Sequence, residues 1–121
     1  MAKPELDKFG RFIISTLRDS AIDRFEGLAR GRWKSPSSQQ LQAELAALTD
    51  KQRQLVRRCV IACIDTAVHD HLFALCDAHD FKKGIAVTVD GKNPVELSDG
   101  LQGEPFGESG WIAHFSKYPK A

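Results

Sequence analysis

One stretch constrains this chain more than any other: from Thr49 to Asp80 a helical pattern runs without a single Gly or Pro, and the next glycine is Gly84. Its start is marked. Thr49 followed three residues later by Gln52 is a capping box, in which the Thr hydroxyl accepts from one free amide and the Gln side chain accepts from another. At about 100° per residue, Val60, Ile61, Ile64, Ala67, Val68, Leu72, Ala74, Leu75 and Ala78 cover roughly half the circumference, wider than the stripe of a surface helix. The spacing predicts a central helix over about 50–80 that the remaining chain wraps.

What is left of that helix is a polar seam. Arg58, Asp65, His69, Cys76 and Asp80 fall along one line, with Thr66, Asp70 and Asp77 beside it. Asp65 and His69 are an i,i+4 pair, so the carboxylate can hold one imidazole nitrogen and raise the pKa of the ring. Read as an enzyme, the seam supplies His69 as general base, Asp65 as its orienting group and Arg58 as the anchor for an anionic substrate. Read as a metal or anion site, it supplies Asp65 and His69 with Glu104 or Glu108 brought over by the tail. The same residues also make an internal polar network that docks the tail on the helix, and no cofactor is expected. His71 falls on the apolar side, the place of a hydrogen-bonded core histidine.

A chain of 121 residues, 42% hydrophobic and 27% charged, is a single globular domain spanning 1–121. Its charge is unevenly placed. Residues 1–58 carry twelve Lys and Arg against seven Asp and Glu, whereas 59–81 carry four Asp and neither Lys nor Arg. Arg side chains of the first helix are therefore expected to face the Asp-rich stretch. The densest basic patch, Arg30, Arg32 and Lys34 around Trp33, has the makings of a phosphate contact, but a net charge of +1 lacks the excess of a dedicated nucleic-acid module.

Cys59, Cys63 and Cys76 all lie on the long helix, without CxxC spacing, and are expected to be buried or half-buried free thiols. The beginning of the chain is polar, with Phe12, Ile13 and Ile14 as its only early apolar run. Neither a signal peptide nor a membrane span is expected, and a reducing cytoplasm is.

Pro4 suits the first turn of a helix over about 5–30, which Gly31 can end. Phe9, Ile13, Ile14, Leu17, Ala21, Phe25 and Leu28 make its stripe, and Phe12 and Ile22 fall on a second side, as in a helix with two neighbours. Ser37 or Ser38 can cap a short helix to about 47, carrying Leu41 and Leu45. Trp33, in the connector between them, is a lid over the core or an exposed anchor. After Gly84 the period becomes two: Ile85, Val87 and Val89 alternate with Ala86 and Thr88, Asp90-Gly91 suits a tight turn, and Val95 to Leu97 can return. Gly100, Gly103, Gly107 and Gly110 then punctuate an acidic loop over about 99–110. Trp111, Phe115 and Tyr118 close the chain as an aromatic tail on a short helix or a third strand.

The predicted fold class is therefore α+β: three helices at about 5–30, 38–47 and 50–80, then a C-terminal hairpin at 85–98, the glycine loop and the anchored tail. No phosphate cradle of the GxxxxGK[ST] or GxGxxG kind is present, and Gly107-Glu108-Ser109-Gly110 is not a GxSxG elbow. The doublets His69-Asp70 and His79-Asp80 match a piece of the HD-class phosphohydrolase motif. That class needs a histidine from an earlier helix, and none precedes His69. In size and expected compartment the chain resembles small bacterial proteins that act by binding another protein, immunity-type partners of toxins among them. The apolar residues on two sides of the first helix and the hairpin edge point to a non-catalytic protein that self-associates or binds another protein, with Phe12, Ile22, Trp33 and Trp111 as contact residues.

Overall fold

A computed structural model describes residues 3–120. Helix α1, Pro4–Ile13, runs without a break through a π-helical segment, Ile14–Asp19, into α2, Ser20–Ala29. Then come α3, Pro36–Ala46, the long α4, Asp50–Asp80, and α5, Trp111–Phe115. Counting α1 to α2 as one, these are four helices, with no β-strand among the described residues. The α+β expectation is overturned. This is an all-helical fold in which residues 82–120, apart from α5, run in turns and short 3₁₀ segments over the helices.

The hairpin fails for a local reason. Asp90 and Gly91 do adopt the paired positive φ of a type I′ turn, 50° and 84°, and Val89 and Lys92 exchange both backbone hydrogen bonds, at 2.7 and 3.1 Å. Pairing stops after that one rung. Asn93 turns its side chain to accept from the Val95 amide, Pro94 has no amide to donate, and Pro94–Leu97 coils into a 3₁₀ turn with Pro94 buried.

The first helix shifts its register. Up to Ile13 the buried side is Leu6, Phe9, Gly10 and Ile13; within the π segment it is Ile14, Arg18 and Asp19, and beyond it Ile22 and Phe25, while Leu17 is exposed. A π turn takes up one more residue than an α turn, so the inward stripe moves by about one position. Ile22, placed on the second side by a uniform 3.6-residue period, is thereby completely buried.

Two helical glycines seat the two tryptophans. A Cβ on Gly10 would lie 2.5 Å from the Trp111 indole, and one on Gly27 would lie 2.4 Å from that of Trp33. Trp33 acts as a lid: its Nε1 donates to the Arg24 carbonyl at 3.2 Å, the Arg24 guanidinium lies over its ring, and Gln42 bonds both its backbone N and O. Trp111 meets Phe9 edge to face within the core of Leu6, Ile13, Ile14, Val68, Leu72 and Leu101.

α4 is continuous, and its capping box is made: Gln52 N donates to Thr49 Oγ1 at 3.2 Å and Thr49 N to Gln52 Oε1 at 2.9 Å. It is not wrapped. Only Ile61, Val68, Leu72 and Ala78 are buried along its 31 residues, all on the side that meets the first helix and the tail. The elements that meet α4 pack on that side, and the opposite face is bare. His71, expected in the core, is exposed.

Candidate functional site

The polar seam is where the tail closes on the helices. Arg18, projected inward by the π segment, is 1% exposed, and its Nε donates to Asp65 Oδ1 on α4 at 2.6 Å. Its Nη1 donates to Ser116 Oγ and to the Tyr118 carbonyl, both at 2.9 Å. Asp19, also buried, accepts from Ser116 Oγ at 2.6 Å and from the Lys117 amide at 2.9 Å. One turn on, Asp23 accepts from Lys117 Nζ at 2.8 Å and from the Tyr118 hydroxyl. These bonds hold the Asp23 carboxyl below the usual carboxylate range, Lys117 first and Tyr118 second, and they push the Lys117 ammonium and the Tyr118 phenol up. The bonds of Arg18, Asp19 and Asp23 all tie the first helix to α4 or to the tail, which makes the cluster a clasp.

Asp65 therefore serves Arg18, the pairing of first-helix Arg with the Asp-rich stretch that the charge distribution leads one to expect. His69 is half exposed, its Nδ1 lies 3.0 Å from Asp70 Oδ1, and its ring is near that of Phe106. Asp65 and His69 line one shallow cavity with Thr66 and Phe106, but each is bonded to a different partner. Arg58 is exposed on the helix surface. Glu104 accepts from Ser98 Oγ at 3.2 Å and Glu108 is exposed. Asp65, His69, Glu104 and Glu108 are not gathered, and among the described residues no group of three or more His, Cys, Asp or Glu could hold a metal ion. The glycine loop is ordered by its own hydrogen bonds, with the amides of Gly103, Glu104, Phe106, Gly110 and Trp111 all donating within it. It drives Leu101 and Pro105 inward, and Gly110 lies so close to Phe106 O that a Cβ would come within 2.3 Å.

Of the four contact residues read from the sequence, Phe12 is exposed, at 61%, and Trp33 is half-buried as a lid. Ile22 at 0% and Trp111 at 5% offer no side-chain surface to a partner. With one rung in place of a ladder, the hairpin has no edge to offer.

The largest feature not foreseen is the bare side of α4. Leu55, Cys59, Ala62, Cys63, Thr66, Ala67, Phe73 and Ala74 are all exposed, Leu55 at 53% and Phe73 at 52%, and Asp70 is the one charge among them. Cys59 and Cys63 are free thiols on that face. The missed signal was present in the residue sizes: apart from its two ends this side is built of Ala, Cys and Thr, whereas the buried side holds Ile, Val and Leu. By length and composition α4 also reaches the range of a membrane-crossing helix, with a mean hydropathy of 1.5 over its best window.

Comparison with protein families, with curated proteins and with solved structures finds no match to this chain.

Proposed function

We propose that this chain is a non-catalytic protein of the reducing cytoplasm that works by association with protein, as small accessory and immunity-type proteins do. The observation that carries this reading is the outer face of α4. Apolar side chains there, running from Leu55 to Phe73 on one side of a rigid helix, leave water only when another surface covers them. Exposed patches of this continuity mark association sites in soluble proteins. Two further features support it. Asp65 of the seam is spent on Arg18, which holds the tail, and the exposed thiols of Cys59 and Cys63 suit a reducing compartment.

The two thiols also provide the test. In intact cells producing the protein, a membrane-permeant maleimide is expected to label Cys59 and Cys63 more slowly than it labels them in dilute purified protein. Labelling as fast in cells as in dilute solution would mean that nothing covers the face, and the reading would fail.

A further inference from the structure

Building on the association reading, we infer that the surface covering α4 is a second copy of the same helix, laid antiparallel across it about a two-fold axis near Ile64. The face is complementary to itself under that operation. Leu55 and Phe73 lie nine positions on either side of 64, and Ala62 and Thr66 lie two on either side. An antiparallel pair therefore sets the large end residue Leu55 against Phe73 of the second copy, and small against small at the centre. Small central residues let the helix axes approach to about 8 Å, the close end of the packing range, while the large ends close the two mouths of the contact.

Charge selects the same orientation. Lys51 and Arg58 are exposed towards the N-terminal end of the face, and Asp70 and Asp80 towards its C-terminal end. Arg58 and Asp70 lie six positions on either side of 64, so antiparallel copies bring them to one level. A parallel pair would stack basic end on basic end and acidic on acidic, and would align the two helix dipoles unfavourably as well. Asp70 then has a cation near it in place of bulk water.

Cysteine cross-linking reads the geometry directly. In the antiparallel pair the two Cys63 residues differ in level by about 3 Å, and the two Cys59 residues by about 15 Å, beyond the reach of a disulfide. Mild oxidation of the purified protein should give a covalent dimer that survives Cys59→Ser and is lost with Cys63→Ser. Sedimentation under reducing conditions should show a dimer that dissociates on dilution. Phe73→Glu, which enters the contact twice, should weaken it roughly a thousandfold while leaving the circular dichroism spectrum unchanged.

Three results would overturn the inference: a monomer at every concentration, a covalent dimer through Cys59 equal to that through Cys63, or flotation with phosphatidylglycerol vesicles that Phe73→Glu abolishes. A monomer whose Cys59 and Cys63 are nevertheless protected in cells would refute the second copy alone, and would leave association with a different protein standing. A monomer labelled freely in cells would sink both readings.

Discussion

The two sides of α4 have similar polarity and opposite fates. On the inner side, Ile61, Val68 and Leu72 interlock with the first helix and with Leu101, and the Arg18–Asp65 pair anchors the tail beside them. On the outer side, Ala62, Ala67, Ala74 and the two exposed cysteines lie in the open between Leu55 and Phe73. Hydropathy scarcely tells these sides apart; volume does. A helix filling an intramolecular core needs large branched side chains to reach its neighbours, whereas a helix kept for close approach by another helix needs small ones.

If that contrast is right, the severest damage comes from the inner side. Arg18→Met leaves Asp65, Ser116 Oγ and the Tyr118 carbonyl without their shared donor, and Arg18→Ala also empties the space of the side chain. Each is expected to cost about 3–5 kcal/mol, the penalty for stranding one member of a buried ion pair. Urea denaturation measures this, and hydrogen exchange should show the amides of Lys117 and Tyr118 unprotected before the rest of the fold opens. Retention of both protections would remove the clasp from the account.

Next in size is the direct comparison of neighbours on one helix. Leu72→Ala, at a completely buried position, is expected to lower stability by about 2–5 kcal/mol. Phe73→Ala, one residue on and half exposed, should change the unfolding free energy of the monomer by about 0.5 kcal/mol or less. Equal losses from the two substitutions would erase the distinction between the sides.

The tryptophan seats come third. Gly10→Ala sets a methyl group against the Trp111 indole and Gly27→Ala sets one against that of Trp33. Ala is the better helix former by up to about 1 kcal/mol, yet each change is expected to destabilise by about 1–3 kcal/mol, because overpacking outweighs propensity. Indole fluorescence of single-tryptophan variants assigns each loss to its ring. A gain in stability at Gly27 would mean that the Trp33 lid shifts without cost.

The smallest effect is one of pH, at the exposed end of α4. His79 lies 3.1 Å from Glu96 and 3.4 Å from Asp80, and these carboxylates, Glu96 foremost, raise its pKa above the usual histidine value. A raised folded-state pKa stabilises fully below the unfolded value, and that contribution is lost as pH rises through the folded one. Protection of the Pro94–Leu97 turn should therefore decline from slightly acidic to slightly alkaline pH, and His79→Gln should flatten the profile. Asp23 has the opposite sign, since its lowered pKa stabilises above the unfolded carboxylate value and the effect disappears as acid protonates it.

Several features were legible in the residues because their causes are local. Thr49 and Gln52 announce the start of α4, an uninterrupted run of helix formers carries it to Asp80, and Asp90-Gly91 accepts the positive φ of its turn. No distant contact is needed for any of these. Other features depend on what lies alongside. A π turn that exchanges Leu17 for Arg18 on the inward side and the capture of Asp65 by that Arg in place of His69 are settled by competing partners in space. Amino-acid order alone thus determined that a long apolar helix would form and where it would begin. Only tertiary packing decided which half of it was covered, because the first helix and the tail meet one side of it and leave the other exposed.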